Sequence, residues 1–102
     1  MRDKKIILNK ISKMKEILQK DGFIIEGIIG SFVKSDNFND LDLVYYLEDR
    51  FLKKYQGFKA INKIEEIRNN LQDTLGINVD LIDKNYANKI MKRVIERDLI
   101  NA

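Results

Sequence analysis

The apolar residues of this chain change their spacing several times, and that alternation limits the available folds more than any other feature. Ile7, Ile11, Met14 and Leu18 recur at helical intervals, with Asp3 placed as an N-cap and Gly22 as a stop. Phe23 to Ile29 reads as a strand, mildly interrupted at Glu26-Gly27 and ended by Gly30. Ser31 to Asn39 is polar and turn-rich, with room for a short helical turn, and Asp40 to Leu47 is a second strand. A loop through Glu48-Asp49-Arg50 and Lys53-Lys54 runs to Gly57. Ile61, Ile64, Ile67, Leu71 and Leu75 then define a second amphipathic helix, closed by Gly76. Ile77 to Ile82 is a third short strand, and Asn85 caps a last helix carrying Ile90, Met91, Val94 and Ile95. The order αβ(α)βαβα predicts an α/β (α+β) fold, a small mixed sheet of three or more strands with helices packed on it. At 102 residues, one domain covering the whole of 1–102 is expected.

Composition narrows the chemistry. The chain has no cysteine and no histidine, which excludes disulfides, thiol or histidine-assisted nucleophiles, and a Cys/His zinc site. Catalysis has to rest on carboxylates, lysines, hydroxyls or a cation with oxygen ligands, for which Mg²⁺ is the natural candidate. With 44% hydrophobic and 34% charged residues the protein is an ordinary globular one. Its net charge of +3 is spread along the chain, with Lys4, Lys5, Lys10, Lys13, Lys15 and Lys20 on the wet side of one helix. Such a face is a solvated one, and direct nucleic-acid binding is not expected from it. The apolar runs are strand-sized and the start lacks a signal-peptide core, so no membrane span is expected and the cytoplasm is the default location.

The stretch GSFVKSDNFNDLDLVYY, 30–46, sets acids where a strand wants apolar residues. Alternation puts Asp40 and Asp42 on one face with Val44 and Tyr46, and Leu41, Leu43 and Tyr45 on the other. Carboxylates two residues apart, roughly 6–7 Å at the backbone, can converge on one cation or bracket two. Uncompensated, they repel, and each raises the pKa of the other. Taken alone, Asp-x-Asp at a strand start is more often a solvated edge. Two further features shift the balance. Gly30-Ser31 ends a strand in a turn whose amides and hydroxyl can hold a phosphate, and Asp80 sits between apolar neighbours in INVDLI.

This arrangement, from Gly-Ser through a polar loop to D-x-D at a strand start and a later strand aspartate, resembles the DNA polymerase β-like nucleotidyltransferase superfamily. The small size is similar to its minimal nucleotidyltransferase branch, and the likeness runs from about Phe23 to Ile82. The resemblance implies transfer of a nucleoside monophosphate from an NTP to a hydroxyl. Asp40, Asp42 and Asp80 would be the catalytic carboxylates and the ligands of Mg²⁺, two ions being expected, with Asp80 also helping to deprotonate the acceptor. Gly30, Ser31 and Lys34 would hold the triphosphate. Proteins resembling this branch act as antitoxins of HEPN-domain toxins, which implies ATP as substrate and a tyrosine hydroxyl on the toxin as acceptor.

Two departures from the pattern stand in the loop. The spacer Phe32 to Asn39 is eight residues, shorter than in relatives, and Lys34-Ser35 replaces the usual basic residue and glycine. They motivate the alternative of a non-catalytic antitoxin that neutralises its partner by binding alone. Tyr45, Tyr46, Phe51, Tyr55 and Phe58 are read as core or lid packing rather than a base-stacking platform.

Overall fold

The computed structural model describes residues 3–102. Nine elements follow one another: α1 (Lys4–Gln19), β1 (Phe23–Ile29), α2 (Ser31–Lys34), β2 (Asp40–Leu47), α3 (Asp49–Lys54), α4 (Phe58–Leu75), β3 (Asn78–Asp83), α5 (Lys89–Asp98) and β4 (Ile100–Asn101). The strands make one mixed sheet in the order β3-β2-β1-β4. β2 lies between an antiparallel neighbour, β1, and a parallel one, β3. The parallel pairing requires the long crossover that α3 and α4 supply.

The expected helices and strands are present. Asp3 caps α1, its Oδ1 accepting from the Lys5 N–H at 2.8 Å, and Ile7 and Ile11 are buried on the stripe read from the sequence. α1 and α4 share one face of the sheet, where Ile7, Ile11, Ile67 and Leu71 pack on Phe23, Ile25, Ile28, Leu41, Leu43 and Val79. α5 takes the opposite face, with Ile95 against Ile29 and Val44. Leu41, Leu43 and Tyr45 therefore face α1 and α4, while Val44 faces α5, as alternation predicts. At the sheet edge, Gln72 of α4 accepts the Val79 N–H through Oε1 at 3.1 Å.

Three expectations are corrected, and the sheet of three or more strands proves to have four. The segment read as a loop after β2 is the helix α3, which buries only Phe51 and so shows no amphipathic repeat. The cap of α5 is Asn88, whose Oδ1 accepts from the Met91 N–H at 2.8 Å, whereas Asn85 lies in the preceding turn. A fourth strand, β4, is two residues long, too short for any pattern. Phe58 is 84% exposed and outside the aromatic packing, in which Phe23 stacks on Tyr45 at 4.6 Å and Phe51 meets Tyr55 at 4.9 Å. Among the described residues no helix is long and apolar enough to cross a membrane.

The interruption at Glu26-Gly27 is a β-bulge, where the register with β2 shifts between Ile25 and Gly27. Past the bulge, β4 pairs Asn101 with Gly27 and Ile100 with Ile28. A Cβ on Gly27 would run into the carbonyl oxygen of Ile100 and the side chain of Leu99. Gly27→Ala should therefore displace β4 and cost about 1–3 kcal/mol of stability, measured by urea unfolding, as overpacking a close backbone approach does.

Candidate active site

The site begins where β1 runs out. Ile29 is the last β1 residue and pairs with Asp42, while on the other side of β2 Asp42 pairs with Asp80 of β3. Asp42 thus sits in the middle strand with a neighbour on each flank. Leu41 and Leu43 on either side of it are fully buried in the α1/α4 core, which fixes the face on which Asp42 must emerge. Asp40, two residues earlier on that face, pairs with Asn78 and is exposed, as is Asp80; Asp42 is half-buried.

Gly30 follows Ile29 directly. Its φ of 84° and ψ of −153° belong to a region that is essentially reserved for glycine. A Cβ there would stand 2.5 Å from Asp42 Oδ2. The chain needs glycine at this position twice over, for the turn and for the approach to the carboxylate. Ser31 then starts α2 and is exposed, and the first N–H groups of that helix have no acceptor within it. The spacer to Asp40 is pinned by Phe32 and Phe38, buried edge-to-face at 4.6 Å, with the Lys4 ammonium over both rings. The sequence reading treated this loop as polar and missed its aromatic anchor.

Electrostatically the site carries excess negative charge. Burial pushes the Asp42 carboxyl above its usual range, and the charges of Asp80 and Asp40, with a hydrogen bond to Asp80, push it further. No cation is among the groups acting on it. Lys34, the residue expected to meet a phosphate, pairs with Asp98 at the end of α5, 3.0 Å from Nζ to Oδ2. Asp98 is a contact that the sequence reading missed, because nothing in chain order relates α2 to the last turn of α5. Among the described residues no three acidic side chains are grouped as ligands around one point; Asp42 and Asp80 are the close pair, and Asp40 contributes its charge from the exposed strand start. An all-oxygen donor set in which Asp42 meets two repelling carboxylates and no cation is chemically suited to a hard divalent cation.

No family model matches the chain. A protein of Methanocaldococcus jannaschii named "Putative protein adenylyltransferase" is 33% identical over 102 residues, covering 91% of this chain and 98% of that protein. A solved structure described as a "putative minimal nucleotidyltransferase" superposes with a TM-score of 0.73 at 16% identity, over 98% of this chain and 96% of the other. Another, a toxin–antitoxin structure with AMP-PNP, superposes with a TM-score of 0.65 at 21% identity, over 91% of this chain and 69% of the other. The mixed sheet with its helices is thus the minimal nucleotidyltransferase fold. The chain belongs to the minimal nucleotidyltransferase family and is a nucleotidyltransferase.

Two outcomes follow from the geometry. Gly30→Ala should lose about 1–3 kcal/mol of stability in urea unfolding, since a strained φ and a collision with Asp42 are combined there. Asp42→Asn should raise Tm at pH 7 in the presence of a chelator. The folded-state pKa of Asp42 lies above its ordinary value, so its ionised form opposes folding at neutral pH. That opposition fades as pH falls through the folded-state pKa, so the advantage of the asparagine variant should shrink as pH enters the carboxylate range.

Proposed function

We propose that this nucleotidyltransferase transfers AMP from ATP to a hydroxyl, a tyrosine of a partner HEPN-domain toxin, and thereby acts as a cytoplasmic antitoxin whose single minimal domain is the catalytic core. The observation that carries this reading is the acidic face of the sheet. Asp40, Asp42 and Asp80 emerge on adjacent strands, and the glycine turn that ends β1 closes against Asp42. The M. jannaschii relative named for protein adenylylation, and the fold neighbour seen in a toxin–antitoxin structure with AMP-PNP, support the choice of nucleotide and partner.

Asp40 and Asp42 are the residues to hold Mg²⁺, with Asp80 as the third carboxylate. Bound there, two such ions would neutralise charge on the triphosphate and on the acceptor oxygen. Asp80 takes the proton of the acceptor hydroxyl as its oxygen bonds to the α-phosphorus. The bond from that phosphorus to the bridging oxygen breaks, and pyrophosphate leaves. Gly30 and Ser31 present backbone amides and a hydroxyl to the phosphates, and Lys34 is the cation at that end. Transfer of this kind needs positioning and charge neutralisation rather than a covalent nucleophile, consistent with a chain lacking cysteine and histidine.

The test is incubation with ATP labelled on its α-phosphate, Mg²⁺ and the toxin. Label should appear on the toxin, and Asp40→Ala or Asp42→Ala should reduce transfer by roughly 10²-fold or more. Full neutralisation of toxicity by the double variant would overturn the enzymatic reading in favour of inhibition by binding alone.

A further inference from the structure

The segment 31–39 between the glycine turn and β2 carries one basic residue, Lys34. It lies four residues past Gly30, about 6 Å along a helix, and Gly30 closes on Asp42. A lysine in that position is the natural internal counter-ion for an acidic cluster. The structure gives it another partner. The Lys34 ammonium sits 3.0 Å from Asp98 Oδ2, and the groups acting on Asp42 include its burial, Asp80 and Asp40 but no cation.

Asp98 is well made for this. Its side chain is only 13% exposed, and Arg97 grips it with two hydrogen bonds, Nε to Oδ1 and Nη2 to Oδ2, each 3.0 Å. These donors, Arg97 first and Lys34 second, hold its carboxyl down to about 2, so it is ionised at neutral pH. Asp98 also sits at the right end of the molecule. α5 is fixed to the sheet by Ile95 against Ile29 and Val44, and Ile29 is the residue before Gly30. The last turn of α5 and the end of α2 are brought together by that packing.

We infer that Asp98 is a positioning residue that holds the Lys34 ammonium away from Asp40, Asp42 and Asp80, leaving those carboxylates open to a divalent cation. The inference rests on the reading of the three carboxylates as cation ligands. Without Asp98 the lysine is free to swing to the acidic cluster, where it neutralises the charge that attracts the ion. An opposite charge within about 4–6 Å of a carboxylate stabilises its ionised form, and so offsets the repulsion that a bound cation would otherwise relieve.

The experiment is direct titration of manganese(II), alone and without nucleotide, followed by the paramagnetic signal of the free ion. Asp98→Asn should weaken binding roughly tenfold. Adding Lys34→Gln to Asp98→Asn should restore it, because the competing charge is then gone. Asp98→Glu, which keeps the charge, should bind as the wild type does. Circular dichroism establishes that each variant is folded before titration. Equal affinity in wild type and Asp98→Asn overturns the inference and leaves the carboxylate reading standing. Weakened binding that Lys34→Gln does not restore also overturns it, since the loss is then structural. Wild-type protein that binds no manganese overturns the carboxylate reading, and the inference with it.

Discussion

Everything at the functional end of this molecule depends on a carboxylate kept in the middle strand of a small sheet. Asp42 is flanked by Ile29 on one neighbour and Asp80 on the other, and its chain neighbours Leu41 and Leu43 are locked into the larger core. That packing leaves the side chain no choice of face, because a one-residue slip would bury the acids among Ile67, Leu71 and Val79 and expose the leucines. The core on the α1/α4 side therefore enforces the chemistry on the α5 side. The consequence is a raised proton affinity at Asp42, caused by its burial and by the neighbouring charges of Asp80 and Asp40.

The other parts adapt to that carboxylate. Gly30 gives way to Asp42 by having no side chain, in a backbone conformation that few other residues would adopt. The spacer that follows is short, but it is not loose, since Phe32 and Phe38 anchor it on the core and Lys4 caps both rings. α5 covers only part of its face, through Ile95, Met91 and Val94, and delivers Asp98 to Lys34 at the mouth of the site. The last turn of α5 thus holds the one basic side chain of the spacer, Lys34, in an ion pair.

The main elements were legible in the sequence because their periods are long enough to repeat. α1 and α4 each carry an apolar stripe that repeats over successive turns, and β2 alternates through Asp40, Leu41, Asp42 and Leu43. What escaped was short or singly buried. α3 hides one phenylalanine, β4 spans two residues, and the true α5 cap, Asn88, competes with an equally plausible asparagine three residues earlier. None of these has a pattern to read, and each is decided by what it packs or bonds against.

The candidate site divides in the same way. The sequence by itself determined that Asp40 and Asp42 share a face, that a glycine-serine turn precedes them, that a third acid stands mid-strand, and that no histidine or cysteine can intervene. These follow from the two-residue period of a strand and from composition, which need no tertiary information. Only the tertiary structure decided that Asp80 lies directly beside Asp42, that Gly30 touches that carboxylate, and that Lys34 is held by Asp98. Each of those joins residues 12 to 64 positions apart in the chain, and no local period encodes such separations. They are set by the parallel register of β2 with β3, by the antiparallel register of β1 with β2, and by the seating of α5 on Ile29 and Val44.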